Sequence, residues 1–294
     1  MNVRDIYARN AARKVPTISF ELYPPKKPED EPNLYEKTLP RLQELRPDFI
    51  TVTYGAGGST RTKTLEIAVR VRDMTGLPVA CHLACLGSPP EEAVAFLDKA
   101  REAGIENIVA IRGDPPKWIP DWKPHPQGMK YGIELVRIVR AHGDWGIVAG
   151  AYPEGHPTCA EGKKVDWDRT AEKVGAGADV LTTQLFYDNR DFFEFESHLR
   201  KLGVSVPVVP GMMTVISSAQ VKRFCNLSGA TLPSILKERF DANENDNDAA
   251  RQIGIDYATE QCQELLAHGV PGFHFYTLNK ARSVRAILEN IGLR

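Results

Sequence analysis

Ionisable, amide and aromatic side chains recur at the ends of short apolar runs along the chain. Glu21 stands near the end of the first such run, TISFELY at 17–23. Each of these residues alone has a structural explanation, such as an Arg112–Asp114 ion pair or a buried, hydrogen-bonded His82. Side chains of this kind at seven run ends together indicate a lined small-molecule site. The later members are Thr53 and Tyr54, His82, Arg112 and Asp114, Tyr152 with Glu154 and His156, Gln184, and Tyr276 with Thr277.

Glu21 has the position expected of an acid–base group. Its run alternates Ile18, Phe20 and Leu22 with polar residues. The apolar set should face flanking helices, which places Glu21 on the opposite face of the strand. A carboxylate enclosed there needs either a lysine or arginine partner or a raised pKa, and a raised pKa would make it a candidate general acid. We favour the catalytic alternative on position.

The elements that must position these residues are eight β-rich runs separated by helical patterns. Eight strands can close as a barrel or open as a doubly wound sheet. The strand count, a spacing of roughly thirty residues and the chain length favour a single (β/α)8 TIM barrel over 1–294, with extra helices between strands 7 and 8 in 214–271. No GxGxxG follows the first strand, which weakens the doubly wound alternative. The runs are 17–23, 48–54, 78–85, 107–113, 146–153, 179–187, 206–213 and 272–279.

Two helical patterns illustrate the spacing between the strands. In 90–104 and 190–203 apolar residues recur every three or four positions, as on one face of a helix. The residues are Ala93, Phe96, Leu97 and Ala100 in the first segment, and Phe192, Phe195, Leu199 and Leu202 in the second.

A barrel brings the carboxyl ends of its strands to one face, where the active sites of this fold lie. We therefore predict the site at that face, with 115–130, which is rich in Pro and Trp and includes Trp118–Trp122, as an irregular loop above it. The run GAGGST at 55–60 lacks the GK[ST] ending of a P-loop. It is predicted to be a tight turn with Ser59 or Thr60 as the N-cap of the next helix.

Composition excludes several classes of function. A formal net charge of −1 argues against a broad surface for nucleic acid or anionic lipid. The amino terminus has no apolar stretch of signal-peptide length and no segment could span a bilayer, so a cytoplasmic location is expected. The five cysteines form no CxxC pair, and we predict buried apolar roles for them rather than metal binding.

Eight strings, in order and over nearly the whole chain, resemble the methylenetetrahydrofolate reductase family. The resemblance implies a (β/α)8 barrel with FAD as cofactor and NADH or NADPH as co-substrate. The implied reaction reduces 5,10-methylenetetrahydrofolate to 5-methyltetrahydrofolate by ping-pong hydride transfer through FAD, in one-carbon metabolism that serves methionine synthesis. We also expect a homo-oligomer with no nucleic-acid or membrane partner. The strings are SFELYPPK (19–26), TVTYGAGGSTR (51–61), HLAC (82–85), IVAIRGDPP (108–116), AYPEGHP (151–157), TTQLFYD (182–188), PVVPGMM (207–213) and FHFYTLN (273–279).

The resemblance also implies roles for individual residues. Glu21 matches the glutamate that protonates folate N10, and Asp114 matches an aspartate beside the flavin pyrimidine ring and the folate pterin, where it stabilises a cationic iminium. Lys280 departs from the arginine common in bacterial members. FAD contacts are implied for Thr53, His82, Arg112, Gly113, Asp114, Tyr131, Tyr152, His156, Asp166 and Lys173, and folate or nicotinamide contacts for Glu21, Gln184, Gln220, Phe224, Tyr276 and Lys280.

Further expectations and alternatives accompany this interpretation. The chain ends one helix after the last strand, so neither a regulatory domain nor inhibition by S-adenosylmethionine is expected. A cofactor-free lyase or aldolase would need a Schiff-base lysine at a strand end, and no predicted strand core contains lysine. A relative with another electron donor or without tightly held flavin remains open. A non-catalytic folate- or flavin-binding barrel would be expected to have lost Glu21 or Asp114, and both are present.

Overall fold

The computed structural model describes residues 1–25, 27–53, 61–115, 119 and 121–294. Within them, parallel strands form one sheet in the order β7-β6-β5-β4-β3-β2-β1-β9-β8, which closes almost completely into a barrel. The predicted TIM-barrel class is confirmed. The strands are β1 Thr17–Leu22, β2 Phe49–Val52, β3 Val79–Ala84, β4 Asn107–Ile111, β5 Gly146–Ala151, β6 Val180–Thr183, β7 Val208–Val209, β8 Gly211–Met213 and β9 Gly272–Tyr276.

The predicted seventh strand, 206–213, is two strands separated by Pro210. Proline has no backbone N–H to donate to a sheet, so the ladder is interrupted there. Before the break, β7 pairs with β6; after it, β8 pairs with β9. The carbonyl of Pro210 still accepts a hydrogen bond from the amide of His274 at 3.0 Å. This change of partner brings the two edges of the sheet together. Within the described residues the prediction of eight strands is therefore corrected to nine strands.

Helices surround the sheet and extend past its ends. The face predicted for 90–104 is confirmed, because its four apolar residues are all buried. In the segment 190–203, Leu202 lies beyond the last helical turn and is 49% exposed, so the prediction that it belongs to the buried face was wrong. The helices are α1 Val3–Ala12, α2 Leu39–Gln43, α3 Arg61–Thr75, α4 Pro90–Glu102, α5 Gly132–Ala141, α6 Lys163–Gly175, α7 Asn189–Lys201, α8 Ser218–Ser228, α9 Ser234–Ala242, α10 Asn247–His268 and α11 Ala281–Asn290, with short 3₁₀ and π turns at Pro28–Asp30 and Asn33–Thr38.

The inside of the barrel is apolar at its amino-terminal end. Helix α1 closes that end, where Val3, Ile6 and Tyr7 pack against residues from inside the strands such as Phe49 and Val109. The sequence pattern did not predict this helix. On the outside, a larger apolar cluster joins the sheet to the surrounding helices. Because the apolar filling lies at one end, polar side chains inside the barrel collect at the other.

Helices α8, α9 and α10 occupy the predicted excursion 214–271. They share a separate apolar cluster with residues that follow β6 and β8, among them Leu185, Tyr187 and Val215. The hydroxyl of Tyr257 on α10 donates to the carbonyl of Tyr187 at 2.6 Å. The excursion is therefore fixed beside the carboxyl ends of the strands, where substrates bind in this fold.

Cys81, Cys85 and Cys262 are buried, as predicted, whereas Cys159 and Cys225 are partly exposed. Among the described residues, no group of histidines, cysteines and carboxylates has the arrangement of a metal site, and no helix has the length and apolarity to cross a membrane. The predictions for Tyr54, the turn at 55–60, the cap at Ser59 or Thr60, and Trp118 fall outside the residues that the structure describes.

Candidate active site

Glu21 lies inside the barrel near the carboxyl end of β1 and is 5% exposed. The alternation of β1 confirms the predicted orientation, because Ile18, Phe20 and Leu22 belong to the outer apolar cluster. One carboxylate oxygen of Glu21 lies 3.5 Å from Nε2 of His82 on β3 and 3.8 Å from Nε2 of His274 on β9. Two imidazoles thus take the place of the lysine or arginine partner that the structural alternative required.

His274 is the main residue that the sequence analysis missed. Its Nδ1 contacts Oγ of Ser19 at 2.8 Å, and the two residues are register partners on neighbouring strands. The contact orients the ring so that Nε2 faces Glu21. The same alternation that placed Glu21 could have identified His274, since it stands between Phe273 and Phe275, which face the helices.

The electrostatic balance at Glu21 differs from the predicted one. Burial raises its pKa, but the imidazoles of His274 and His82, which lie 3.8 and 3.5 Å from the carboxylate, act against burial, and the net pKa lies below its ordinary value. Burial lowers the pKa of His82 to about 4, more than the nearby carboxylate raises it. The prediction of a raised pKa for Glu21 is therefore wrong for the free protein, because pairing outweighs desolvation. Tyr23 adds a further hydrogen bond to the carboxylate.

A second group of predicted residues lies at the ends of β5 and β6. The rings of Tyr152 and His156 pack with centroids 4.5 Å apart. Asp166 on α6 accepts a hydrogen bond from the amide of His156 at 3.1 Å, and Nζ of Lys173 donates to the carbonyl of Gly150 at 2.8 Å. Burial lowers the pKa of Lys173, and the charge of Asp166 opposes this. These residues form a polar wall of mixed charge at the barrel mouth.

Tyr276 connects this wall with Glu21. Its hydroxyl crosses the barrel to donate to the carbonyl of Thr183 at 2.6 Å. Burial raises its pKa well above the usual range, and the charge of Glu21 acts in the same direction. Gln184, the next residue after β6, forms a hydrogen bond with the side chain of Tyr152. Burial raises the pKa of Tyr152 to about 12, and the charges of Asp114 and Asp166 act in the same direction. Residues from β1, β3, β5, β6 and β9 therefore share one site.

At the end of β4, Arg112, Gly113 and Asp114 turn away from the strand. Nε of Arg112 donates to the carbonyl of Lys130 at 3.2 Å. Asp114 is exposed, and within the described residues no ion pair joins it to Arg112. The structural explanation considered for this pair is therefore not supported. Electrostatic effects of Asp114 on Tyr152 and His156 place its charge on the same side of the mouth.

Gly113 has the left-handed backbone, with φ of +77°, and a Cβ there would lie 2.9 Å from Cβ of Ala84. We expect Gly113→Ala to cost about 1–2 kcal/mol through backbone strain alone, which corresponds to a fall in Tm of roughly 2–8 °C. Gly175→Ala, at a helical position with open space, is the matched control and should be neutral or slightly stabilising. Equal melting temperatures for the two variants would contradict this account.

The remaining predicted residues lie further out. Thr53 donates its amide to the carbonyl of Leu22 at 2.9 Å, and Tyr131, the N-cap of α5, is 60% exposed. Lys280 is an exposed N-cap of α11. Gln220 and Phe224 lie on α8. The side-chain oxygen of Gln220 accepts a hydrogen bond from the backbone amide of Ile216, and its side-chain nitrogen donates to the carbonyl of Thr214, both in the loop before the helix. No described contact joins these outer residues to Glu21.

Comparison with known proteins identifies the family of the chain. A family model described as methylenetetrahydrofolate reductase matches residues 6–292. "Methylenetetrahydrofolate reductase (NADH) 1" of Arabidopsis thaliana is 36% identical over 286 residues, which cover 94% of this chain and 48% of that protein. "5,10-Methylenetetrahydrofolate reductase" of Escherichia coli (strain K12) is 34% identical over 277 residues and is covered to 91%. The chain thus spans about half the length of the plant relative and most of the bacterial one.

Solved structures share the fold at low identity. An uncharacterized protein from Clostridium thermocellum that binds two copies of 5-methyl-5,6,7,8-tetrahydrofolic acid aligns with a TM-score of 0.66 at 14% identity, over 97% of both chains. Oxaloacetate acetylhydrolase with bound oxalate aligns with a TM-score of 0.53 at 12% identity, over 96% of this chain and 83% of that one. At these identities the likeness supports the barrel fold alone.

Proposed function

The chain belongs to the methylenetetrahydrofolate reductase family, and we propose that it reduces 5,10-methylenetetrahydrofolate to 5-methyltetrahydrofolate with NADH or NADPH as electron source and FAD as cofactor. The observation that carries the proposal is the buried carboxylate of Glu21 at the mouth of the barrel, beside His82 and facing the wall that holds Tyr152.

The residues at the mouth fit a flavin dinucleotide. Among the described residues no hydrogen-bond partner reaches the buried Nε2 of His82, whose neighbouring Glu21 oxygen lies 3.5 Å away, so a polar atom of a bound group would satisfy it. Arg112 and Lys173 supply positive charge suited to a diphosphate, and Gly113 leaves room where a Cβ would collide. When bound, FAD supplies acceptance and return of a hydride. Thr53, Tyr131, Tyr152, His156 and Asp166 complete the proposed binding set.

Glu21 is proposed as the proton donor to folate N10. Its lowered pKa leaves it ionised in the free protein at neutral pH. Burial is already the largest single influence on this carboxyl group, and ligands that cover the mouth would extend it by excluding water. His274, oriented by Ser19, directs Nε2 toward the carboxylate at 3.8 Å and so contributes to the polar surroundings of the proposed donor.

The substrate side of the site is proposed to involve α8 and the strand ends opposite Glu21. The Clostridium thermocellum protein with this fold binds two copies of 5-methyl-5,6,7,8-tetrahydrofolic acid, so a folate ligand is compatible with such a barrel. Tyr276 is the register partner of Glu21 on the neighbouring strand and Gln184 bonds Tyr152, whereas Phe224 and Lys280 lie further out. Contact between Gln220 and folate would require exchange of its loop hydrogen bonds. The single domain, homo-oligomeric state and cytoplasmic location stay predictions.

The proposal predicts that purified protein carries FAD. The expected result is the absorbance spectrum of an oxidised flavin, which bleaches when NADH or NADPH is added without oxygen and returns when methylenetetrahydrofolate follows. The two nicotinamides added separately also reveal which one serves as donor. A colourless protein that stays inactive with added FAD would contradict the cofactor assignment. A yellow protein that bleaches but never responds to folate would contradict the substrate assignment.

A further inference from the structure

Glu154 makes a contact that the proposed reaction has not used. It lies in the loop 152–162 between β5 and α6, two residues after Tyr152 and two before His156. Its carboxylate oxygens lie 3.1 and 3.0 Å from the backbone amide of Thr231, which donates to them. Thr231 belongs to the linker between α8 and α9. The carboxylate therefore spans from the loop proposed to hold the cofactor to the segment that follows the proposed substrate helix.

A second contact between the same two segments lies beside the first. Gly229 caps α8 in the left-handed conformation, with φ of +78°. A Cβ at Gly229 would lie 3.1 Å from Cγ of Pro157, so backbone and proline ring pack closely. The carboxyl end of α8 is thus held against the loop 152–162 at two points.

The amino-terminal end of α8 is fixed independently. The hydroxyl of Ser217 caps it by accepting from the amide of Gln220, and the hydroxyl of Ser218 donates to the carbonyl of Phe240 on α9 at 2.9 Å. With that end fixed, the contact at Thr231 sets where the other end of α8 lies. Phe224 stands one helical turn before that end, so its position depends on Glu154.

The surroundings of Glu154 favour Thr231 as its partner. Asp188 and Asp191, at the start of α7, repel its charge. Burial raises the pKa of Glu154, these carboxylates act in the same direction, and the hydrogen bonds from Thr231 lower it. Since no cation offsets this repulsion among those influences, the amide of Thr231 is what stabilises the carboxylate.

We propose that Glu154 is a positioning residue that sets the distance between the proposed cofactor-binding loop and helix α8, and so fixes Phe224 for contact with the nicotinamide or folate substrate. The kinetic part of this inference rests on the proposed function. Glu154 touches neither substrate nor cofactor in this account, and it acts through Thr231.

The test compares Glu154→Ala, Glu154→Gln and Glu161→Ala. Glu161 lies in the same loop but pairs with Arg169 on α6, so its loss is a matched control. For Glu154→Ala we expect the KM for both nicotinamide and folate to rise about threefold to tenfold, as for a lost hydrogen bond to a charged group at a partly exposed site. FAD content should be unchanged. Glu154→Gln keeps an acceptor oxygen and should restore most of the loss.

Hydrogen–deuterium exchange separates this inference from the proposed function. In Glu154→Ala the peptides that cover 225–232 should exchange faster, and in Glu161→Ala they should not, whether or not the protein reduces folate. Unchanged exchange in 225–232 would overturn the contact itself. Faster exchange with unchanged KM values in an active enzyme would overturn the positioning role. Equal loss of FAD, Tm and both half-reactions would show a purely structural role.

Discussion

Replacement of Glu21 by glutamine is expected to slow the folate half-reaction by about 10²–10⁴-fold, the usual contribution of general acid catalysis. Glutamine has nearly the same shape as glutamate and can still accept a hydrogen bond from Tyr23, but it cannot deliver a proton. Reduction of the flavin by nicotinamide needs no such proton, so that half-reaction should change little. Stopped-flow absorbance at the flavin band measures the two steps separately. Equal loss in both would show that Glu21 serves the structure rather than the chemistry.

The pH dependence of the same step provides a second test of Glu21. Its pKa in the free protein is lowered, so the fraction that carries a proton increases as the pH falls toward that pKa. The folate half-reaction of the wild type should therefore accelerate with decreasing pH, and in Glu21→Gln this dependence should disappear. A variant that kept the wild-type profile would assign the titrating group to another residue.

The orientation of Glu21 could be predicted from sequence because a strand has a period of two and the apolar residues of β1 identify its outer face. The sign of its pKa shift could not. That sign depends on His82 and His274, which come from β3 and β9 and meet Glu21 only when the barrel closes. The same period of two applies to β9, so the sequence could have predicted that His274 faces the inside of the barrel. It could not have predicted how close His274 lies to Glu21.

Other features depend on partners that a linear pattern does not specify. The face of α1 packs inside the barrel against single residues from many strands, including Phe49, Val109 and Val148, so no local signal marks it as a plug. The split of the seventh strand follows from Pro210, whose effect on pairing is general, yet the switch of partner from β6 to β9 requires the closed sheet. The roles of Tyr131 and Lys280 come from family resemblance, since both are exposed.

The charge of Asp114 is expected to act with opposite sign in the two half-reactions. In the free protein this carboxylate is exposed, and water screens it. Ligands bound at the mouth would exclude that water and strengthen its effect on neighbouring charge. A negative charge beside the flavin opposes electron uptake, whereas the same charge beside folate stabilises a cationic iminium. Asparagine removes the charge and nearly preserves the shape.

Asp114→Asn should therefore leave reduction by the nicotinamide unchanged or faster and slow reduction of folate by about 10²–10³-fold, the range for loss of one electrostatic stabiliser. FAD content and Tm should stay at wild-type values, because within the described residues Asp114 forms no ion pair with Arg112 that the substitution could break. Arg112→Gln is the companion variant. It removes a positive charge proposed to bind the FAD diphosphate, so it should weaken FAD binding rather than slow folate reduction alone. Separate rates for each half-reaction, with the flavin potential measured on the same samples, decide the matter. If Asp114→Asn instead lowered FAD content and Tm and slowed both half-reactions equally, Asp114 would be a structural residue at the end of β4. Stabilisation of the folate cation would then have to come from another residue of the site.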